Sequence, residues 1–311
     1  MHQFVTHVSN CLQLGILLEI SANKPGNVSR VADFQGTRYE HFLASAVAIR
    51  PSLAVAAKQG AKISRGEIEP SSVGIGKIMK SAVEEVSVWQ HGGNTLLGTI
   101  LLLSPLAVAA GMSFSDNNKF SRDNLRRSLK QVSESTSPLD AVAVYEAINI
   151  ANPNGLANMA PTLDVNDPAS KKKILEEKIN LFEIFRISAS YDSISREWVE
   201  NFPITFDIGL PFFIKQLEVA DLNTAIVRTF LKVLARVPDT LIRRKAGKEK
   251  AEEISERAGK ILSGLSTPKG RKELLDFDEE LRGSRNKLNP GTTADITATV
   301  LAVSILDGYR P

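Results

Sequence analysis

Three polar loops in this chain carry residue types that bind anions or metal ions. Residues 289–295 read Asn-Pro-Gly-Thr-Thr-Ala-Asp and precede the apolar run 296–306. Residues 92–95, Gly-Gly-Asn-Thr, precede the apolar run 96–110, and Lys24-Pro25-Gly26-Asn27 follows the apolar stretch 12–20. The free amides at the start of a helix attract anions, and glycine lets backbone approach a ligand closely. Three such loops from distant parts of one chain predict a shared pocket.

The carboxylate of Asp295 is the most informative group in these loops. Thr292 and Asp295 have the spacing of a capping pair, which predicts that Asp295 lies in the first turn of a helix. A carboxylate at the mouth of an apolar helix is either a cap or a site residue. The sequence leaves both interpretations open.

A second carboxylate, Asp239, precedes the basic run Arg243-Arg244-Lys245. A turn followed by a solvated basic face explains this pattern. The alternative is a magnesium ligand beside cations for a polyphosphate, because Mg²⁺ is held by one or two carboxylates together with substrate phosphates. Asp239 and Asp295 on paired loops would satisfy that requirement.

The remaining polar residues each have a plain structural explanation beside the functional one. Lys24 and Gly26 are typical of a helix stop, and they would also suit a phosphate. Asn94 and Thr95 are ordinary caps that also suit an anion site. Arg196 is explained by an exposed ion pair. The Gly-Lys-Ser/Thr ending of a P-loop is missing from the glycine pair at 92–93.

Helical periodicity dominates the elements that must position these residues. Stripes at i, i+3 and i+4 predict helices over 222–237 and 251–262, and Ser137-Pro138 predicts a helix start. Residues 171–191 predict one long helix ending near Arg196. Residues 41–57 predict helix interrupted at Pro51, and residues 96–110 predict a core helix broken or kinked at Pro105.

Signals for β-hairpins are absent from the sequence. Residues 202–213 are predicted to form a loop or a short strand. Residues 152–169 are predicted to form a surface loop, which is a weak candidate for a domain boundary. We therefore predict a single all-α domain over residues 1–311, with buried apolar central helices.

Composition excludes several classes of protein. The net charge of +3 over 311 residues argues against a dedicated nucleic-acid binder. The longest apolar run is too short to span a bilayer, and no targeting segment is recognised, so no membrane association is expected. One cysteine, Cys11, favours a cytoplasmic protein without disulfides.

Taken in order, these motifs resemble the triphosphoribosyl-dephospho-CoA synthase family over nearly the whole chain. The matching residues are Glu19-Ile20-Ser21, Lys24-Pro25-Gly26, Asp33-Phe34, Phe42 to Ala46, Gly93-Asn94-Thr95 with Gly98 and Gly111, Arg196-Glu197, Phe202-Pro203, Asp239-Thr240, Pro290-Gly291 and Ala294-Asp295. The known fold of that family is all-helical.

The resemblance implies an ATP-dependent transferase in coenzyme biosynthesis. The family attaches the triphosphoribosyl part of ATP to the 2′ hydroxyl of dephospho-CoA and releases adenine. By this resemblance we expect Mg²⁺ as cofactor, ATP as substrate, and Asp239 and Asp295 as metal ligands or catalytic base. The expected nucleotide and phosphate contacts are Lys24, Gly26, Asn94, Thr95, Arg196, Lys245 and Gly291.

The chain departs from the family pattern at three motifs. Leu96-Leu97 stand where the family has His-Lys, Leu241 replaces an asparagine, and the glycine between Arg196 and Glu197 is absent. The acceptor is therefore open. Two alternatives to the family reaction stay open. The protein could catalyse another transferase or ligase step on a different coenzyme, or it could bind a nucleotide or coenzyme without catalysis. The oligomeric state is also open, with a homodimer as one option.

Overall fold

The computed structural model describes residues 2–113, 120–153, 162–283 and 286–311. Within these ranges the chain is all-α, as predicted, and its extended segments are limited to two isolated antiparallel bridges. Among the described helices, none combines the length and apolar character needed to cross a bilayer.

The described residues up to 151 form seven α-helices. They are α1 (His2–Ser21), α2 (Tyr39–Ala48), α3 (Arg50–Ser64), α4 (Ile75–Trp89), α5 (Leu97–Ser113), α6 (Arg122–Glu134) and α7 (Pro138–Ala151).

The second half adds α8 (Pro168–Glu176), α9 (Leu181–Ser188), α10 (Ser193–Val199), α11 (Leu210–Leu217), α12 (Leu222–Arg236), α13 (Thr240–Ala246), α14 (Lys248–Gly264), α15 (Pro268–Gly283) and α16 (Gly291–Leu306). A short π-helix, Ile204–Gly209, precedes α11.

The apolar helices α5 and α16 lie at the centre of the largest core cluster. Both are buried on nearly all sides, which explains why their sequences lack a polar face. Helix α3 packs on α5, and α1 packs on α16. A second apolar cluster lies between α12 and the helices α13 to α15, and α12 contributes residues to both clusters. A single domain over 1–311 stays a prediction.

Helix α5 continues through Pro105, so a break at this proline is wrong, and the alternative of a kink stays a prediction. Proline has no N–H and cannot bond the carbonyl four residues earlier, which belongs to Leu101. The indole Nε1 of Trp198 donates to that carbonyl at 3.0 Å. A side chain of α10 thus supplies the hydrogen bond that proline omits.

Two further expectations about the elements are wrong. The predicted long helix over 171–191 is divided into α8 and α9, because Lys178 has a positive φ and Asn180 caps α9 with Glu183. Arg196 consequently lies on the separate helix α10. The predicted loop or strand over 202–213 is helical, because buried Glu197 accepts hydrogen bonds from the first amides of the π-helix.

Other predicted boundaries are confirmed. Helix α7 begins after Ser137 with a capping box to Asp140, α3 begins with Pro51 in its first turn, and α12 and α14 occupy their predicted ranges. Residues 154–161 of the predicted surface loop lie outside the described residues.

Candidate active site

The three polar loops meet at one cleft of about 600 Å³. Asn27 from the first loop, residues 92–95 from the second and Gly291 from the third all line it. The Asn27 side chain donates to the Pro290 carbonyl at 3.3 Å, which joins the first loop to the third. The predicted shared pocket is therefore confirmed. Its volume is typical of small-molecule sites.

Asp295 lines the cleft and lies against the first turn of α5. Its Oδ1 accepts a hydrogen bond from Thr99 Oγ1 at 2.5 Å. A Cβ at Gly98 would lie 2.1 Å from Asp295 Oδ2, so the carboxylate approaches α5 only because this position is glycine. The predicted capping pair is wrong: α16 begins at Gly291 without a side-chain cap, and Asp295 lies in its second turn.

Burial raises the pKa of Asp295 to about 7. The hydrogen bond from Thr99 opposes this shift, whereas the nearby charges of Glu19 and Asp239 add to it. A carboxyl group with a pKa near neutrality can both accept and donate a proton. Proton transfer is therefore a reaction that Asp295 could perform.

Glu19 provides a second carboxylate that lines the cleft, and it forms an ion pair with the buried Lys24. The Lys24 ammonium lies 3.1 Å from Glu19 Oε1 and donates to two backbone carbonyls, those of Glu19 and Ala22. Lys24 is buried and does not line the cleft. Burial lowers the pKa of Lys24 and raises the pKa of Glu19. Lys24 therefore positions a carboxylate in this structure.

Asp239 is buried outside the cleft lining and is fully engaged by protein donors. Its Oδ1 caps α13 through the amides of Leu241 and Ile242, at 2.9 and 3.1 Å. Its Oδ2 accepts from the amide and hydroxyl of Thr293 in α16, at 2.7 and 2.8 Å. One carboxylate thus joins α13 to α16. Burial raises its pKa.

The joined helix α13 brings Arg244 and Lys245 to the cleft. Arg244 donates to Asp192 Oδ2 at 3.1 Å, while its Nε is buried with no hydrogen-bond partner among the described residues. Lys245 donates to the Asn286 carbonyl at 3.3 Å. Burial and the adjacent Arg244 lower the pKa of Lys245. Two adjacent, partly buried cations can attract an anion.

Asn94, Thr95 and Gly291 also line the cleft, as expected for nucleotide contacts. Asn94 Oδ1 accepts from the Leu97 amide at 3.1 Å, and the Thr95 hydroxyl lies 2.7 Å from Ser45 Oγ. Both side chains therefore have structural partners beside any ligand. Their assignment to nucleotide binding stays a prediction.

Gly26 and Arg196 lie away from the cleft. Gly26 has a φ of 67° and packs against Leu281, and its amide donates to Asp278 Oδ1 at 2.6 Å. Arg196 is exposed and pairs with Glu200 at 2.9 Å. The structure therefore separates both residues from the others that we predicted, and it gives Gly26 a packing role.

The sequence-based selection of site residues omitted Glu19, Thr99 and Arg244, which line the cleft. Glu19 was visible as an acidic residue at the end of an apolar helix, five residues before a lysine. Arg244 lay inside the basic run that had been noticed. Thr99 gave no signal, since its importance comes only from contact with Asp295.

The carboxylate side of this cleft retains one buried oxygen atom without a protein donor. Asn289 Oδ1 is buried and accepts no hydrogen bond from the described residues, whereas Glu19 Oε1 is paired with the Lys24 ammonium. Groups of three or more His, Cys, Asp or Glu side chains that could hold a metal by themselves are absent from the described part of the chain. Mg²⁺ needs fewer protein ligands when substrate phosphates supply the others.

The described helices form a cleft that combines carboxylates, cations and helix starts, an arrangement that suits a nucleotide-dependent transferase. The model of the family CitG, ATP:dephospho-CoA triphosphoribosyl transferase, matches residues 5–311. The chain belongs to this family. It is therefore a transferase, and the sequence-based resemblance is confirmed.

Comparison with solved structures supports the same assignment. The chain is similar to a crystal structure from Archaeoglobus fulgidus named "putative triphosphoribosyl-dephospho-coA synthase". The TM-score is 0.62 at 26% sequence identity, and the match covers 86% of this chain and 100% of the other. A search of curated proteins gives no match.

Proposed function

We propose that the protein transfers the triphosphoribosyl group of ATP to the hydroxyl of a nucleotide-type acceptor and releases adenine. Dephospho-CoA, through its 2′ hydroxyl, is the first acceptor to test. The observation that carries the proposal is one cleft lined by Glu19 and Asp295 on one side and by Arg244 and Lys245 on another. Glycosyl transfer from a triphosphate requires both kinds of group.

The reaction breaks the bond between ribose C1′ and adenine and forms a bond between C1′ and the acceptor oxygen. The proton lost by the acceptor hydroxyl balances the proton gained by adenine. Asp295, with a pKa of about 7, is the group we assign to this transfer. The second carboxylate, Glu19, would stabilise positive charge that develops on the ribose.

Arg244 and Lys245 are the residues that we assign to the triphosphate. Arg244 retains a buried Nε without a partner, and Lys245 makes a single long hydrogen bond to a backbone carbonyl. Both groups therefore have donors to offer a phosphate. A guanidinium is suited to bidentate phosphate contacts, and an ammonium acts as a point charge.

Mg²⁺ fits the oxygen atoms on the carboxylate side of the cleft. The unpartnered Asn289 Oδ1 and the carboxylate of Glu19, whose Oε1 is paired with Lys24, would hold the ion together with substrate phosphates, and Asp295 lines the same cleft. When bound, the ion would neutralise triphosphate charge. Asp239 and Lys24 would act indirectly, since Asp239 holds α13 against α16 and Lys24 holds Glu19.

Two apolar residues of the cleft lining bear on the identity of the acceptor. Leu96 and Leu97 line the cleft at the positions where the family pattern has histidine and lysine. Loss of two polar side chains from the wall favours an acceptor that differs from dephospho-CoA near these positions. The reaction type would be unchanged.

Release of free adenine tests the proposal. The protein is incubated with ATP, Mg²⁺ and dephospho-CoA, adenine is measured by chromatography, and the product is weighed by mass spectrometry. We expect adenine to appear in proportion to a triphosphoribosylated acceptor. We also expect chelation of Mg²⁺ to stop its release.

Other products would overturn the proposal. ADP or AMP without adenine would indicate phosphoryl or adenylyl transfer. ATP binding without turnover, across a panel of hydroxyl-bearing coenzyme precursors, would indicate a nucleotide-binding protein without catalytic activity. The cytoplasmic location stays a prediction.

A further inference from the structure

One side of the cleft is apolar and differs in character from the carboxylates and cations. It is formed by helices α7 and α9 and the turn that follows α9. We name it the apolar wall, and it consists of Val144, Tyr145, Ile148, Ile184, Ile187 and Tyr191. On each helix the members recur at i+3 or i+4, so they share one face.

The charged side chains of these two helices do not line the cleft. Glu146 on α7 pairs with Lys80 at 2.9 Å and with Lys171 at 3.7 Å, and neither pair lies at the cleft. Glu183 caps α9. Asp164 does line the cleft nearby, but its carboxylate accepts the Asn166 amide at 2.8 Å. The apolar wall is therefore unsuited to a phosphate.

The two tyrosine rings of the wall are uncharged and line the cleft. The Tyr145 hydroxyl donates to the Leu163 carbonyl at 2.7 Å, so its polar end is already engaged. Burial raises the pKa of both Tyr145 and Tyr191 and keeps the two rings uncharged. An uncharged aromatic ring is a favourable contact surface for the flat face of a nucleobase.

We propose that the apolar wall is the subsite for the adenine base of the donor nucleotide. This inference rests on the proposed function, which requires adenine to leave as a neutral molecule. Of the three parts of ATP, the triphosphate is charged and the ribose is a polar sugar, so the base is the part that has a flat apolar face. The cations Arg244 and Lys245 then hold the triphosphate, and the wall holds the leaving group.

Separate binding of the two ends of ATP tests the subsite. Equilibrium dialysis compares adenine, tripolyphosphate with Mg²⁺, and ATP with Mg²⁺ on the wild type and on Ile187→Asp. We expect Ile187→Asp to weaken adenine and ATP binding roughly tenfold, the value of losing one base contact, and to leave tripolyphosphate binding unchanged. Lys245→Ala should give the opposite pattern.

Leu139→Asp is the matched control, because Leu139 lies on α7 with 71% of its surface exposed and does not line the cleft. It should leave all three affinities unchanged. Retained tripolyphosphate binding shows that Ile187→Asp folds, and the milder Ile187→Thr provides a second variant that should weaken adenine binding less.

Three results would overturn the inference. The first is that the wild type does not bind adenine at millimolar concentration. The second is that the wild type, Ile187→Asp and Ile187→Thr bind adenine equally well. The third comes from dialysing dephospho-CoA against the same proteins: weaker dephospho-CoA binding by Ile187→Asp, with unchanged ATP binding, would assign the wall to the acceptor. Any of these results can coexist with adenine release, so failure of the subsite is distinguishable from failure of the proposed function.

Discussion

At the scale of single residues, two kinds of polar side chain are found in and around the cleft. Some line the cleft and can contact a ligand, and others are buried beside it and bond to other protein groups. Asp295 lines the cleft, with a pKa of about 7. Asp239, like Asp295, lies near the start of a helix: Asp239 directly precedes α13, and Asp295 lies in the second turn of α16. However, four protein donors bond to the Asp239 carboxylate. Chemistry is thus expected from the first carboxylate and precise placement from the second.

Replacing Asp295 with asparagine should lower the rate of adenine release by roughly 10²–10⁴-fold, because asparagine cannot accept or donate the transferred proton. The measurement is the initial rate of adenine release under saturating substrates. Asp276→Asn is the control, since Asp276 is exposed on α15. Equal rates in Asp295→Asn and the wild type would exclude Asp295 from catalysis.

Replacing Thr99 with valine should displace the pH–rate profile to higher pH. The hydrogen bond from Thr99 favours the charged carboxylate, so its loss raises the pKa of Asp295 further above its ordinary value. The limb of the profile assigned to Asp295 is measured in both proteins. An unchanged limb would show that another group titrates there.

Replacing Asp239 with asparagine should lower the free energy of unfolding by about 2 kcal/mol, because its amide NH₂ would face the Thr293 donors. It should also weaken tripolyphosphate binding, since α13 carries Arg244 and Lys245. Asp221→Asn is the control: Asp221 caps α12 at an exposed position, where asparagine caps equally well. Denaturant unfolding and dialysis measure the two effects. Unchanged anion binding would contradict the positioning role.

At the scale of elements, the central helix α5 depends on a partner that comes from elsewhere in the sequence. Pro105 leaves the Leu101 carbonyl without its helical donor, and Trp198 replaces that donor. The Trp198 ring also packs against Phe185, with centroids 4.8 Å apart. These contacts connect α5, which carries Thr99, with α9, which carries part of the apolar wall.

Replacing Trp198 with phenylalanine should lower the free energy of unfolding by about 1–3 kcal/mol, because it leaves a buried carbonyl unpaired. The variant is compared with Trp89→Phe, whose side chain is 56% exposed and whose loss should cost less than about 0.5 kcal/mol. Urea unfolding of both variants measures the difference. Similar costs would show that the indole hydrogen bond is unimportant.

At the scale of the whole molecule, buried carboxyl groups make stability depend on pH. Burial raises the pKa of Glu197 from 4.5 to about 7. Between pH 4.5 and 7, the Glu197 carboxyl group is therefore protonated in the folded protein and ionised in the unfolded chain. Stability is fully present below the unfolded pKa and is lost as pH rises through the folded pKa.

The wild type should lose about 3 kcal/mol of unfolding free energy through Glu197 between pH 4.5 and 7. Glu197→Gln should remove this part of the dependence, because glutamine stays neutral. Urea midpoints across this pH range, compared with the exposed control Glu200→Gln, measure the effect. A wild-type slope that persists in Glu197→Gln would assign the dependence to other groups.

The sequence by itself determined the helical class, the family and the loops that meet at the cleft. These features are local: periodicity, capping residues and short motifs are all written in neighbouring residues. Ser137-Pro138 at the start of α7 and the stripe of α12 are direct examples. Short motifs alone also selected Asp295 and Lys245 as candidate site residues, and both line the cleft.

Tertiary structure decided which polar groups face the cleft and which are used internally. Lys24 and Asp239 looked like ligand contacts, but buried partners engage both. Thr99 and Trp198 are important because of their hydrogen-bond partners, which are distant in sequence. Asp295 is 196 positions from Thr99, and Leu101 is 97 positions from Trp198. Burial and long-range pairing set the free energy of a polar group, and neither can be read from adjacent residues.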